Sequence, residues 1–140
     1  MGGANFGSEP YLNHLHKHCR ISMDIMFITH DGGTWSFRND NKKYKHVIKY
    51  GSIEVGEYSF VGARTTILPG VIIGSHCVIG AGSLVNKDVP DGTVVAGVPA
   101  RFICTTEEYV QKCLKNMPIN FNETEYMKNK KDYLVSHFVK

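Results

Sequence analysis

Three of the seven histidines alternate in the run His14-Leu15-His16-Lys17-His18, and alternate side chains of an extended strand share one face. Three imidazoles gathered in that way could bind a metal, given a fourth ligand or an open position and close convergence of the rings. His16, however, falls at the corner of a repeat described below and its neighbours are expected to face solvent, so no metal is expected. His30 is placed differently, at the mouth of a loop that begins His30-Asp31-Gly32-Gly33. There an imidazole can reach a groove and remove the proton of a hydroxyl, which is a poor nucleophile near neutral pH while it keeps that proton. The plainer reading leaves His30 as decoration of the loop. Asp31 could orient the ring, although adjacent side chains usually diverge, and Asp24 lies inside a repeat where it is expected to face solvent. Trp35, the single tryptophan, shares the loop with Phe37 and Arg38. That combination suits stacking on a sugar ring or on a neighbouring subunit, or packing the loop down. Cys19, Cys77, Cys104 and Cys113 are widely spaced without a CxxC pair and are read as reduced thiols, Cys19 and Cys77 at positions that want a small buried side chain.

What must position these groups is a strict period of six. Val55, Val61, Ile67, Ile73, Ile79 and Val85 are all aliphatic, and four positions beyond each stands a slim residue: Ser59, Thr65, Val71, Cys77, Ser83 and Val89. Directly after each aliphatic come Gly56, Gly62, Leu68, Gly74, Gly80 and Asn86. A helix repeats its apolar residues every three or four positions and a simple strand every two, so neither produces one aliphatic in six. If each unit is a short strand plus a turn, three units make one triangular coil, and the aliphatics of successive coils stack into an interior column. The glycines are expected at the corners, where the backbone takes conformations that other residues resist, and the slim residues in the narrow interior.

Upstream the same register runs through Leu15, Cys19, Ile21, Ile25 and Phe27 and then loses phase, so residues from His30 to about Lys49 are expected to leave the coil as a protruding loop. A loop of that length inside a repeat usually carries function. After Ile103 the hexads stop. Thr105-Thr106-Glu107-Glu108 offers an N-cap with an acidic first turn, followed by Tyr109, Val110, Cys113 and Leu114. Beyond Met117-Pro118 a second helix is expected over Glu123 to Phe138, with Tyr126, Tyr133, Leu134 and Phe138 as its apolar face. Such a stack needs atypical ends to stop edge-to-edge growth, which gives a repeat domain over 1–104 and a C-terminal helical cap over 105–140.

The composition agrees with one core: 140 residues, 42% hydrophobic. A net charge of +3 with scattered lysines, apart from Lys128, Lys130 and Lys131, gives no reason to expect nucleic acid. Nothing approaches the roughly 20 apolar residues that cross a bilayer, so no membrane insertion is expected. The polar start Met1-Gly2-Gly3-Ala4-Asn5 has no signal-peptide core, and the cytoplasm is the expected address. Met1 stands close to the first motif, so the stack is expected to be short and to draw much of its stability from subunit contacts.

With its consecutive hexads and the following Val85-Asn86-Lys87-Asp88-Val89-Pro90 and Ala96-Gly97-Val98-Pro99-Ala100-Arg101, the chain resembles the hexapeptide-repeat acyltransferases over residues 5 to 104. Within them it is most similar to sugar and polysaccharide O-acetyltransferases. The resemblance implies a mainly β fold, a left-handed parallel β-helix, although the usual crossover rule would give the opposite hand. It also implies a homotrimer with active sites between subunits, acetyl-CoA as acyl donor, and a sugar or polysaccharide-precursor hydroxyl as acceptor. His30 matches the family's catalytic base. Glu9 is expected beside it, roughly one coil earlier, where such enzymes carry a carboxylate that grips acceptor hydroxyls, the alternative being a solvated loop residue. Trp35 is the candidate for acceptor stacking. Gly62 and Ala63 match the corner whose main-chain N–H groups receive the oxyanion, and Ala63 replaces a serine often found there. Gly62 and Ala81 would border the pantetheine, Asn86 and Lys87 would approach the adenosine end, and Arg101 would reach phosphate. Two other readings stay open: N-acetylation of a nucleotide-linked amino sugar, and a non-catalytic β-helix scaffold.

Overall fold

The computed structural model describes residues 2–118 and 120–139. Strands β1 (Asn13–Leu15), β2 (Arg20–Ile21) and β3 (Met26–Phe27) come first. A two-stranded ribbon of β4 (His30–Asp31) and β5 (Lys49–Tyr50) follows, with the short helix α1 (Trp35–Arg38) between its strands. Then come β6 (Ile53–Val55), β7 (Phe60–Val61), β8 (Thr66–Ile67), β9 (Ile72–Ile73), β10 (Val78–Ile79), β11 (Leu84–Val85), β12 (Thr93–Ala96) and β13 (Arg101–Thr105). Three helices end the chain: α2 (Thr106–Asn116), α3 (Glu123–Lys128) and α4 (Lys130–Phe138).

The backbone runs round three parallel sheets, β1-β6-β9, β2-β7-β10-β12 and β3-β8-β11, with β13 antiparallel on the edge of the second. Registers place Leu15 beside Val55 and Val55 beside Ile73, Ile21 beside Val61 and Val61 beside Ile79, and Phe27 beside Ile67 and Ile67 beside Val85. The interior columns expected from the period are therefore present, and the six aliphatics from Val55 to Val85 are at most 1% exposed. The upstream register joins the downstream one across the long excursion. In each strand from β7 to β11 the aliphatic second residue is buried and its predecessor is more exposed, as strand alternation requires. The slim residues are buried too. Their hydroxyls are satisfied by coil carbonyls, Thr65 Oγ1 donating to Gly62 O at 2.7 Å and Ser83 Oγ to Gly80 O at 2.6 Å, which removes the penalty of burying an unpaired polar group.

The corner differs from the sequence expectation. Positive φ falls not on the glycine after each aliphatic but two residues further, at Tyr58, Arg64, Gly70, His76 and Gly82. Gly62 is required for another reason: a Cβ there would lie 2.5 Å from Ala81 N and 2.7 Å from Ile79 O, atoms of the next coil. Close packing of one coil on another, rather than conformational freedom, selects glycine at that place. Three of the non-glycine corners are braced by their own side chains. His18, Tyr58 and His76 stack in a column with ring centroids 4.8 and 5.3 Å apart.

Two compact units are present, Met1–Tyr109 and Val110–Lys140, so the division falls inside α2. The N-terminus of α2 matches its expectation, Thr105 Oγ1 accepting from Glu108 N at 3.1 Å. The second helix does not. The segment from Glu123 to Phe138 is two helices, because Asn129 leaves helical geometry and its side-chain oxygen accepts from Asp132 N at 3.4 Å, as an N-cap does. Of the expected apolar face, Tyr133 is buried against the edges of Phe121 and Tyr126, whereas Phe138 is exposed. Among the described residues no helix is long and apolar enough to cross a membrane.

Candidate active site

The excursion after Phe27 begins where the coil turns its last inward side chain. Thr29 is 1% exposed and His30 half-buried, and the chain leaves in β4 and returns in β5, His30 opposite Tyr50 and Asp31 opposite Lys49. Glu9 arrives from the N-terminal segment, which is held in place by Asn13: its Nδ2 donates to Phe6 O at 2.8 Å and to Pro10 O at 3.3 Å. Phe6 also stacks on Phe27, centroids 5.0 Å apart. Glu9 and His30 are thereby brought together across 21 positions of sequence.

Three donors converge on one oxygen of that carboxylate. Glu9 Oε2 accepts from Thr29 Oγ1 at 2.8 Å, from Ser8 Oγ at 2.8 Å and from His30 Nδ1 at 2.9 Å. An ionised carboxylate only accepts, so Nδ1 carries the proton in this pair and Nε2 is left with its lone pair, the form a general base needs. The bond from His30, then that from Thr29, lowers the pKa of Glu9, with partial burial opposing and Ser8 adding to the effect. Glu9 thus occupies the orienting place beside His30, with Oε1 remaining for other donors. Asp31 does not take that place: its carboxylate accepts from Gly33 N at 3.0 Å and lies 3.9 Å from Lys49 Nζ. A cleft of about 280 Å³ adjoins, lined by Asn5, Gly7, Ser8, Met26, Thr29 and His30 among others.

Gly62, Ala63 and Ala81 stand together at one corner of successive coils, with Gly82 N donating to Ala63 O at 2.7 Å. The N–H of Gly62 already donates to Ile79 O at 2.8 Å, so of the two main-chain groups expected to receive an oxyanion only that of Ala63 is left for the task. Asn86, Lys87 and Arg101 are exposed at the far end of the coils. Lys87 borders a further hollow with Asp88, Pro90, Ala100 and Phe102. Trp35 is 65% exposed on α1 with the Arg38 guanidinium 5.4 Å from its ring centre, and no contact joins it to His30 or Glu9 among the described residues. His14, His16 and His18 are exposed. His16 Nε2 lies 3.5 Å from Glu54 Oε2 and His18 is stacked on Tyr58. Among the described residues no group of three or more His, Cys, Asp or Glu is arranged to hold a metal.

Sequence reasoning missed Ser8, Thr29 and Tyr50. Thr29 carried a usable signal, a polar residue where the last inward position of a coil falls; Tyr50 carried only its place at the point where the period resumes.

The three-sheet coil of hexads is matched by a family comparison. Residues 52–87 match the bacterial transferase hexapeptide family, six repeats. The chain belongs to the hexapeptide-repeat transferases. It is 43% identical over 139 residues to Protein CapG of Staphylococcus aureus, an alignment covering 96% of this chain and 76% of that protein. It is 51% identical over 51 residues to the galactoside O-acetyltransferase of Escherichia coli (strain K12), 36% of this chain and 25% of that enzyme. A solved point mutant of AntD, an N-acyltransferase from Bacillus cereus in complex with dTDP-4-amino-4,6-dideoxyglucose and Coenzyme A, shares the fold. Its TM-score is 0.55 at 23% identity, over 75% of this chain and 60% of that one. The chain thus spans three quarters of CapG and a smaller share of the other two.

Proposed function

We propose that this protein is an acetyl-CoA-dependent O-acetyltransferase acting on a saccharide hydroxyl, of the kind found in capsule, lipopolysaccharide or small-sugar acetylation. The observation that carries the reading is the bond of His30 Nδ1 to Glu9 Oε2 at 2.9 Å. It leaves Nε2 to take the proton of the acceptor hydroxyl as its oxygen attacks the acetyl carbon. The bond to sulfur then breaks, and the imidazolium returns its proton to the departing thiolate. While the carbonyl oxygen carries negative charge, the N–H of Ala63 is the donor suited to it. Gly62 and Ala81 leave a narrow, side-chain-poor corner fitting a thin pantetheine arm. Asn86, Lys87 and Arg101 supply polar and cationic groups for the nucleotide end. Trp35 is kept as an outer acceptor contact.

The working form is a homotrimer of left-handed coils with its sites between subunits, in the cytoplasm, with residues 1–104 as the catalytic part and 105–140 as a helical extension. A hydroxyl needs its proton removed as it attacks and an oriented base does this; an amine also gives up a proton in becoming an amide, so the choice of oxygen over nitrogen rests on the acceptor assay that follows. His30→Ala is expected to lower kcat about 10²–10⁴-fold with acetyl-CoA binding retained, read by thiol release with matched hydroxyl and amino sugars as acceptors. Near-normal turnover of the variant would overturn the mechanism, preference for the amine would reassign the acceptor, and absence of acetyl-CoA binding would leave a scaffold.

A further inference from the structure

The aromatic side chain that the fold sets against His30 is Tyr50. In the ribbon of β4 and β5 the two residues are directly opposed, which puts their side chains on the same face. Their ring centroids are 5.4 Å apart at an interplanar angle of 50°. The ribbon is fixed at its base. Gly51 N donates to Thr29 O at 2.8 Å, and Gly51 sits so close to the next coil that a Cβ there would lie 2.8 Å from Gly70 Cα. Lys49 faces Asp31 across the neighbouring pair. Even so, Tyr50 keeps 54% of its surface exposed. A large flat ring is thus held rigidly at the edge of the base and left open.

We propose that Tyr50 is the platform for the ring of a saccharide acceptor, which it holds so that one hydroxyl meets Nε2 of His30; this deepens the function proposed above and rests on it. A pyranose has an apolar face of C–H groups bordered by hydroxyls. Tyr50 matches the face, and polar groups of the cleft that His30 also lines match the border, the hydroxyl of Ser8 and the amide of Asn5. The cleft, at about 280 Å³, lies at the small end of the roughly 300–1,000 Å³ typical of ligand sites, a size for one sugar unit rather than a chain. A linear alcohol would leave the aromatic face unused. Trp35, whose ring is covered on one side by Arg38, is less suited to be this first platform.

The test reads binding and turnover separately on the full chain. Saturation-transfer NMR with a panel of methyl glycosides in the presence of coenzyme A compares wild type with Tyr50→Phe, which keeps the ring, and Tyr50→Leu, which keeps apolar bulk without the flat face. Steady-state kinetics on the same proteins uses glycosides and glycerol as acceptors. Expected are retained glycoside binding in Tyr50→Phe, a rise of about five- to tenfold in glycoside KM for Tyr50→Leu, and no change in the KM for acetyl-CoA. Equal glycoside affinity in wild type and Tyr50→Leu would overturn the proposal, as would no glycoside binding to wild type. So would a fall in kcat shared by glycerol and glycosides at unchanged KM, since that marks a mere brace for His30. Glycosides bound through Tyr50 but never acetylated would instead sink the reaction and leave the platform standing.

Discussion

Replacing Glu9 by glutamine tests whether the carboxylate orients the base or grips the acceptor. In the native site one oxygen, Oε2, accepts from Ser8, Thr29 and His30 at 2.8, 2.8 and 2.9 Å. A glutamine oxygen has two lone pairs and no net charge, so it cannot hold all three donors well, and its amide group, if turned toward Nδ1, would force the proton onto Nε2 and silence the base. Even when the amide is turned the right way, the imidazolium that forms on proton transfer loses its anion. Replacing the carboxylate behind a catalytic imidazole by an amide costs about 10⁴ in the serine proteases, where the group is buried and the wrong tautomer results. Here the carboxylate is 13% and the imidazole 38% exposed, so solvent replaces part of the effect, and a fall in kcat of about 10²–10³ is expected with acceptor KM little changed. Thiol release at saturating acetyl-CoA and varied acceptor is the assay. A kcat within about threefold of wild type together with a raised acceptor KM would refute the orienting role and return Glu9 to the gripping role. The same substitution has a pH signature. Because hydrogen bonds hold the Glu9 carboxyl below its ordinary value, its contribution to stability is present above the unfolded pKa and is lost as pH falls through the folded one. Wild type and Glu9→Gln should therefore differ in stability most near neutrality and converge in acid.

Three substitutions test the packing of the coil. Ile67→Ala removes a fully buried residue flanked by Phe27 and Val85 in their columns, and should cost about 2–5 kcal/mol, read by urea unfolding at fixed protein concentration; a loss below 1 kcal/mol would mean that the column is not close-packed. Gly62→Val would push side-chain atoms into Ala81 N and Ile79 O, so both the melting temperature and acetyl-CoA binding should fall, whereas Gly82→Ala, in an open place at positive φ, should cost about 1 kcal/mol and spare binding.

The frame was legible because the period has a single physical cause: a two-residue strand offers one inward position, and that position must be apolar in every unit from Val55 to Val85. The glycines were legible as glycines but not as to cause, since close approach and positive φ select the same residue. Only the backbone separates Gly62, which the next coil crowds, from Gly82, which has room. Tyr58, Arg64 and His76 hold the left-handed corners despite their side chains, at a strain of order 1 kcal/mol each. For Tyr58 and His76 the compensation is a ring stack that joins residues on three different coils, a partnership no local pattern carries. Asn129 went unnoticed as a helix boundary because the spacing of the apolar residues alone let a single helix run through it.

The proposed site sits where the period fails, and this has a mechanical reason. Inside the repeat side chains are committed either to the column or to the outer face, and the main chain of the strands to the neighbouring coil, which leaves little freedom to aim a base. Losing phase after Phe27 releases the chain for the length of the excursion. The first released residue is His30, still anchored through buried Thr29, and the last is Tyr50, already tied to the coil through Gly51. Both ends of the excursion are therefore as rigid as the stack while their side chains are free of its in-and-out rule. A base and a flat ring can be set 5.4 Å apart only at such a junction. Its span can vary in sequence without moving either group, provided the two anchors hold.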